Sequence, residues 1–111
     1  LTSIAGQAPQ LTYLDCGTNA LKALNLANFP KISVLVCGYN YGIQLDTANS
    51  ATLTELYCDN CNLQNIAPTT LPALRVLVAG GNAFSPALTS TLEEWGAKEG
   101  YTLSLDSNTE A

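Results

Sequence analysis

Four stretches of this chain repeat one another at a fixed step of 21 residues, and a fixed step constrains the fold more than composition does. Leu11, Ile32, Leu53 and Leu74 share one column, and Leu14, Leu35, Leu56 and Leu77 a second. Cys16, Cys37, Cys58 and Ala79 form a third column, and Asn19, Asn40, Cys61 and Asn82 a fourth. Then come Leu21, Gly42, Leu63 and Phe84, followed by Leu24, Leu45, Ile66 and Ala87. Gly42 interrupts the apolar pattern, and Ile43 beside it is placed to fill the space.

The alternation Leu14, Asp15, Cys16 has period two, so Leu14 and Cys16 point one way and Tyr13, Asp15 and Gly17 the other. Units of equal length place successive strands parallel and in register, about 4.8 Å apart. Stacking then gives continuous inward columns of Leu and Cys that no single unit could bury. The Asn column satisfies backbone groups where the chain leaves each strand, because an amide both donates and accepts. Cys61 substitutes there only as a weak donor, so its turn is expected to be held less well. The return segments NLANFPK, DTANSAT and APTTLPA have little helical content and read as irregular or extended convex-side loops.

A departure from the period lies near the end, where Asn82 to Asn108 spans 26 residues. The inserted segment has Ser85 as a helix cap, Pro86 as first helical residue and Gly100 as a stop. Leu88, Leu92 and Trp95 form its apolar stripe. Leu103, Leu105 and Asn108 then repeat the spacing of Leu14, Cys16 and Asn19, which predicts a fifth strand.

Written out, LTYLDCGTNALKAL, ISVLVCGYNYGIQL, LTELYCDNCNLQNI and LRVLVAGGNAFSPA match L-x-x-L-x-L-x-x-N/C-x-L, with Cys or Ala in the third apolar slot. At these residues the chain resembles the leucine-rich-repeat family, in its short bacterial type, and is similar to internalin-like and Bacteroides-type surface or secreted proteins. The resemblance implies a leucine-rich-repeat solenoid of the α/β class with few helices. Its parts would be a parallel in-register sheet of about five short strands, irregular convex loops and one helix near the C-terminus. Residues 1–111 would form a single domain: a partial repeat 1–10, repeats 11–31, 32–52, 53–73 and 74–99 with a helix at about 86–99, and a last strand at about 101–106. It also implies an extracellular or cell-surface setting. A chain that lacks Met and opens within a repeat is expected to derive from a longer precursor.

Composition narrows the chemistry. Four basic residues (Lys22, Lys31, Arg75, Lys98) face nine acidic ones, for a formal charge of -5, so phosphate recognition and hence nucleic acid are excluded as partners. No apolar run approaches the roughly 20 residues of a membrane-spanning helix. The chain has no His, which removes the commonest general base and metal ligand. Cys58 and Cys61 have C-x-x-C spacing, but there is no second such pair to complete a zinc site. Cys16, Cys37 and Cys58 read as small apolar core residues. In-register strands hold the cysteine Cβ atoms too far apart for disulfides, so four free thiols are expected. Glu93 and Glu94 read as a solvated helix face, and Asp15, Glu55 and Asp59 show no flanking pocket that would make a hydrolytic dyad. No catalytic residue, cofactor or metal is expected.

What remains is the outward face of the sheet. Its columns hold Tyr13, Val34, Glu55, Val76 and Thr102, then Asp15, Val36, Tyr57, Val78 and Ser104. The glycine column holds Asp59, and the column beyond it Tyr39. Valines and tyrosines gathered on a solvent face and rimmed by acids have the composition of a recognition patch. The bland explanation is that such residues favour strands anyway. The expected function is therefore non-enzymatic protein binding, with Tyr13, Val34, Val36, Tyr39, Glu55, Tyr57, Val76 and Val78 in contact and Asp15 and Asp59 tuning selectivity. The alternatives are carbohydrate or cell-wall binding, with Tyr13, Tyr39 and Tyr57 stacking on sugar rings, and a structural spacer in a larger surface protein.

Overall fold

In the computed structural model, which describes residues 8–46, 50–66 and 71–105, the elements run β1 (Tyr13–Asp15), β2 (Ala23–Asn25), β3 (Val34–Val36), β4 (Gln44–Asp46), β5 (Glu55–Tyr57), β6 (Val76–Val78), α1 (Pro86–Gly96) and β7 (Thr102–Ser104). The period-two triplets form one parallel sheet of five strands in the order β1-β3-β5-β6-β7. Leu14, Leu35, Leu56, Leu77 and Leu103 stand in register across it. The arrangement is compatible with an α/β solenoid. Residues 1–7 of the expected partial repeat, together with Pro68, Asp106, Ser107 and Asn108, lie outside the described residues.

Each middle residue of a strand turns into the core. Leu35, Leu56 and Leu77 are fully buried, and Cys16, Cys37, Cys58 and Ala79 line the same interior. Burying one such leucine is worth roughly 2 kcal/mol, so stacked columns supply the stability that three-residue strands cannot. Gly42, at φ +84°, bends the chain so that Ile43 enters the core in its place.

Strands β1, β3, β5 and β6 are each left through a residue in the left-handed region: Thr18, Tyr39, Asn60 and Gly81 have φ of 57°, 61°, 56° and 70°. The next residue then folds its side chain back onto the strand end. Asn40 Nδ2 donates to the Cys16 and Cys37 carbonyl oxygens at 3.0 and 2.9 Å, and its Oδ1 accepts from Leu21 N–H at 3.0 Å. Asn82 repeats the geometry on Cys58 and Ala79 at 3.0 and 2.9 Å, and accepts from the Cys61 and Leu63 N–H groups. Asn19 donates to the Cys16 carbonyl at 3.0 Å. Asn40 and Asn82 thus each tie one unit to its neighbour.

The return side differs from the irregular loops expected. Strands β2 and β4 pair in parallel, Leu24 beside Leu45, as a second, two-stranded sheet. A 3-10 turn follows β2 at Leu26–Asn28, capped by Asn25 Oδ1 accepting from Ala27 N–H at 2.9 Å. The triplets Ala-Leu-Asn and Gln-Leu-Asp carry a two-residue alternation too short to stand out from a loop.

Helix α1 begins where Ser85 Oγ accepts from Leu88 N–H at 3.1 Å, with Pro86 opening the first turn. It buries Leu92 fully and Leu88 and Trp95 in part. It ends at Gly96, short of Gly100, and Leu103 of β7 packs there so closely that a Cβ at Gly96 would collide with it. Trp95 meets Tyr101 edge to face at 5.0 Å, and Arg75 lies 4.7 Å over the Tyr101 ring, pinning the helix against the sheet end. Among the described residues no helix is long and apolar enough to cross a membrane.

Candidate functional site

Parallel register lines up the outward residues in two columns. One runs Tyr13, Val34, Glu55, Val76, Thr102, and the other Asp15, Val36, Tyr57, Val78, Ser104. The predicted residues Val34, Val36, Glu55, Tyr57, Val76 and Val78 are half-buried by one another, while Asp15 is exposed. Tyr13 stands 56% exposed at the edge strand. Val-x-Val strands therefore flank β5 on both sides.

At the centre of the face Tyr57 donates its hydroxyl to Glu55 Oε1 at 2.8 Å. This bond to Glu55, with some burial, pushes the Tyr57 phenol above its ordinary range. The consequence is a carboxylate held in one place between two apolar strands, with one oxygen engaged. Asp15 behaves differently: its Oδ1 accepts from Gly17 N–H at 3.2 Å, so it serves the turn of its own strand.

Asp59 lies over the end of the preceding strand, β3. A Cβ at Gly38 would collide with Asp59 Oδ1 and sit 3.1 Å from the Asp59 carbonyl oxygen, so glycine is what lets this carboxylate settle. Tyr39 is 49% exposed at the left-handed position one residue beyond the glycine column. The structure thus brings Val34, Val36, Glu55, Tyr57, Val76 and Val78 together as a continuous patch, with Tyr13, Tyr39, Asp15 and Asp59 around it.

One aromatic residue escaped the sequence reading. Tyr41, at 72% the most exposed of the large apolar side chains, follows the Asn column on the turn. Its column, Ala20, Tyr41, Asn62 and Ala83, is exposed throughout, and that outward position between the Asn and Leu21 columns is the signal that could have found it.

All four cysteines are free and buried. Burial pushes the Cys58 thiol up, and a hydrogen bond with Cys61 together with burial does the same to Cys37. Burial raises Cys16 as well, with a smaller push from Asp15. Those three neutral, enclosed thiols are poor nucleophiles and poor ligands, whereas the hydrogen bond with Cys37 lowers the Cys61 thiol to about 7 against the opposing effect of burial. Among the described residues no group of three or more His, Cys, Asp or Glu is arranged to hold a metal ion.

Comparison of the chain with protein-family models, with curated proteins and with solved structures finds no match.

Proposed function

We propose that this chain is a leucine-rich-repeat solenoid acting as a non-enzymatic binding module, which takes a protein partner on the open face of its five-stranded sheet. The observation that carries the reading is the hydrogen-bonded Glu55–Tyr57 pair set between the Val-x-Val strands β3 and β6. Apolar rows supply contact area, and a fixed carboxylate supplies selectivity by rejecting any partner that leaves it unpaired. No basic residue occupies the two outward columns. The fitting partner presents a Lys or Arg side chain, surrounded by apolar groups, to Glu55.

An extracellular or cell-surface setting accompanies this reading, since it follows from the same resemblance. The stacked Leu and Cys columns support the binding reading by giving a rigid sheet on which the contact residues need little ordering before a partner arrives.

The test is affinity for a secreted or surface protein recovered with the chain, measured for wild type and for Tyr57→Ala combined with Val36→Ser. A loss of about 2 kcal/mol or more, with an unchanged thermal melt, is expected for a central hot spot. Unaltered affinity would remove this face from consideration.

A further inference from the structure

Opposite the binding face the second sheet stops early, and a groove opens where it would have continued. The register that sets Ala23 beside Gln44 would set Gln44 beside Asn65, one step of 21 residues further on. Residues 62–66 form no strand, so on its far side β4 pairs with nothing among the described residues. Between the two rows lies a groove of about 370 Å³ lined by Gly42, Gln44, Leu45, Asn62, Gln64 and Asn65, with Ile43 and Leu63 closing its floor. Its size falls within the range of small-molecule sites.

The chemistry of the lining is unusual for this acidic chain. Four carboxamides, Gln44, Asn62, Gln64 and Asn65, are all exposed, and none of the lining residues is ionisable. Gln44 N–H bonds to the Lys22 carbonyl oxygen at 2.9 Å, toward β2. Alternation along a parallel strand then turns the Leu45 N–H and C=O into the groove. Every polar group there is neutral, and each carboxamide both donates and accepts.

We infer that this groove binds a neutral carbohydrate. Vicinal sugar hydroxyls, each donor and acceptor at once, match the carboxamides, and an anionic ligand would find no cation to receive it. Tyr41, the chain neighbour of Gly42, offers an exposed ring for the apolar face of a pyranose. Gly42 at φ +84° and Asn62 at φ +56° fix the two turns from which the walls rise, and nothing lies within 4 Å of where a Gly42 Cβ would be, which leaves that wall open. An extended peptide is the rival occupant. The free edge of β4 offers it only the backbone groups of Leu45, too few for strand addition, whereas the side chains dominate the lining.

The experiment titrates the isotope-labelled chain with neutral hexose and N-acetylhexosamine oligosaccharides, following backbone amide signals and binding heat. Saturable binding at millimolar or lower ligand, with shifts at Leu45, Gln64 and Asn65, is the expected result. Gln44→Ala with Asn65→Ala, and separately Tyr41→Ala, should each weaken binding by about tenfold, while Tyr57→Ala leaves it unchanged. These side chains are exposed, and a melt within a few degrees of wild type checks that each variant is folded. The inference is overturned by saturation with no neutral oligosaccharide, by undiminished affinity in both groove variants, by loss of sugar binding in Tyr57→Ala, or by an uncharged peptide shifting these amides where sugars do not. Because the groove and the sheet face are tested by different variants, failure of one leaves the other standing.

Discussion

The second unit, residues 32–52, and the third, residues 53–73, share their strand side and differ on their turn side. Leu35 and Leu56 are equally buried, as are Cys37 and Cys58, and β3 and β5 pair without a slip. Past the strand the two part. Asn40 makes hydrogen bonds to both neighbouring strand ends, whereas Cys61 has only its thiol, 3.3 Å from the Cys37 carbonyl oxygen and 3.5 Å from that of Asp59. Asn60 Nδ2 is buried without a partner. The second left-handed residue falls at Gly42 in one unit and at Asn62 in the other. After those turns one unit forms β4 and the other forms no strand among its described residues. Inward apolar columns therefore hold the five-stranded sheet in register even where a turn is poorly satisfied, while the return side follows the turn.

The comparison is broken most directly by truncating the two turn residues. Asn40→Ala leaves the Leu21 N–H without its acceptor, removes the one amide donor to the Cys37 carbonyl and takes one of two from the Cys16 carbonyl, all in the interior. A loss of about 3 kcal/mol is expected, since unpaired buried groups cost their full desolvation. Cys61→Ala removes weaker bonds and should cost about 1 kcal/mol. Urea unfolding of both variants measures the difference. Equal losses would mean that the turn amides matter no more than a thiol.

A smaller effect of opposite sign sharpens the same point. The Cys16 carbonyl accepts from both Asn19 and Asn40, each at 3.0 Å, so an unbroken Asn column would give every strand end two amide donors. Position 61 is where that series lapses: the Cys37 and Cys58 carbonyls each have one amide, from Asn40 and Asn82. Cys61→Asn should restore the second amide and stabilise the chain by about 1 kcal/mol. A lower urea midpoint in this variant would show that the third turn has its own geometry and that Cys61 suits it.

These two outcomes also mark how far the sequence could be read. The step of 21 residues was enough to place four of the strands, because period-two alternation and equal unit length leave one parallel register, and the fifth followed from the same local spacing of Leu103 and Leu105 beyond the insertion. Cys61 was legible as a weak point for the same reason: it breaks a column. The pairing of Ala23–Asn25 with Gln44–Asp46 was not legible, since three residues carry too little periodicity. Nor was the settling of Asp15 onto Gly17 N–H or of Asp59 against Gly38, because a column assignment says which face a side chain is on and nothing of what it bends toward. The groove beside β4 was out of reach altogether, being the space left where a strand fails to form. Within the proposed face, the sequence grouped the valines with Tyr57 and Glu55, but the hydrogen bond that joins the last two required coordinates.

The smallest expected effect separates turn strain from turn hydrogen bonding. Thr18 and Tyr39 both occupy the left-handed region, at φ of 57° and 61°, where a Cβ costs roughly 1–2 kcal/mol. Gly81 at φ 70° shows the residue that the same column accepts without that cost. Thr18→Gly should therefore stabilise the chain by about 0.5 kcal/mol, the relief of strain being partly offset by the greater freedom of the unfolded chain. Tyr39→Gly relieves the same strain but also gives up the packing of a half-buried ring, so its net gain should be smaller. If Tyr39 contacts a partner as proposed, that variant should weaken binding while Thr18→Gly leaves it alone. Strain tolerated at an exposed aromatic and dispensable at its neighbour one unit away is what a functional residue on a repeated turn would show. Equal effects of the two substitutions on partner affinity would reduce Tyr39 to an ordinary turn residue.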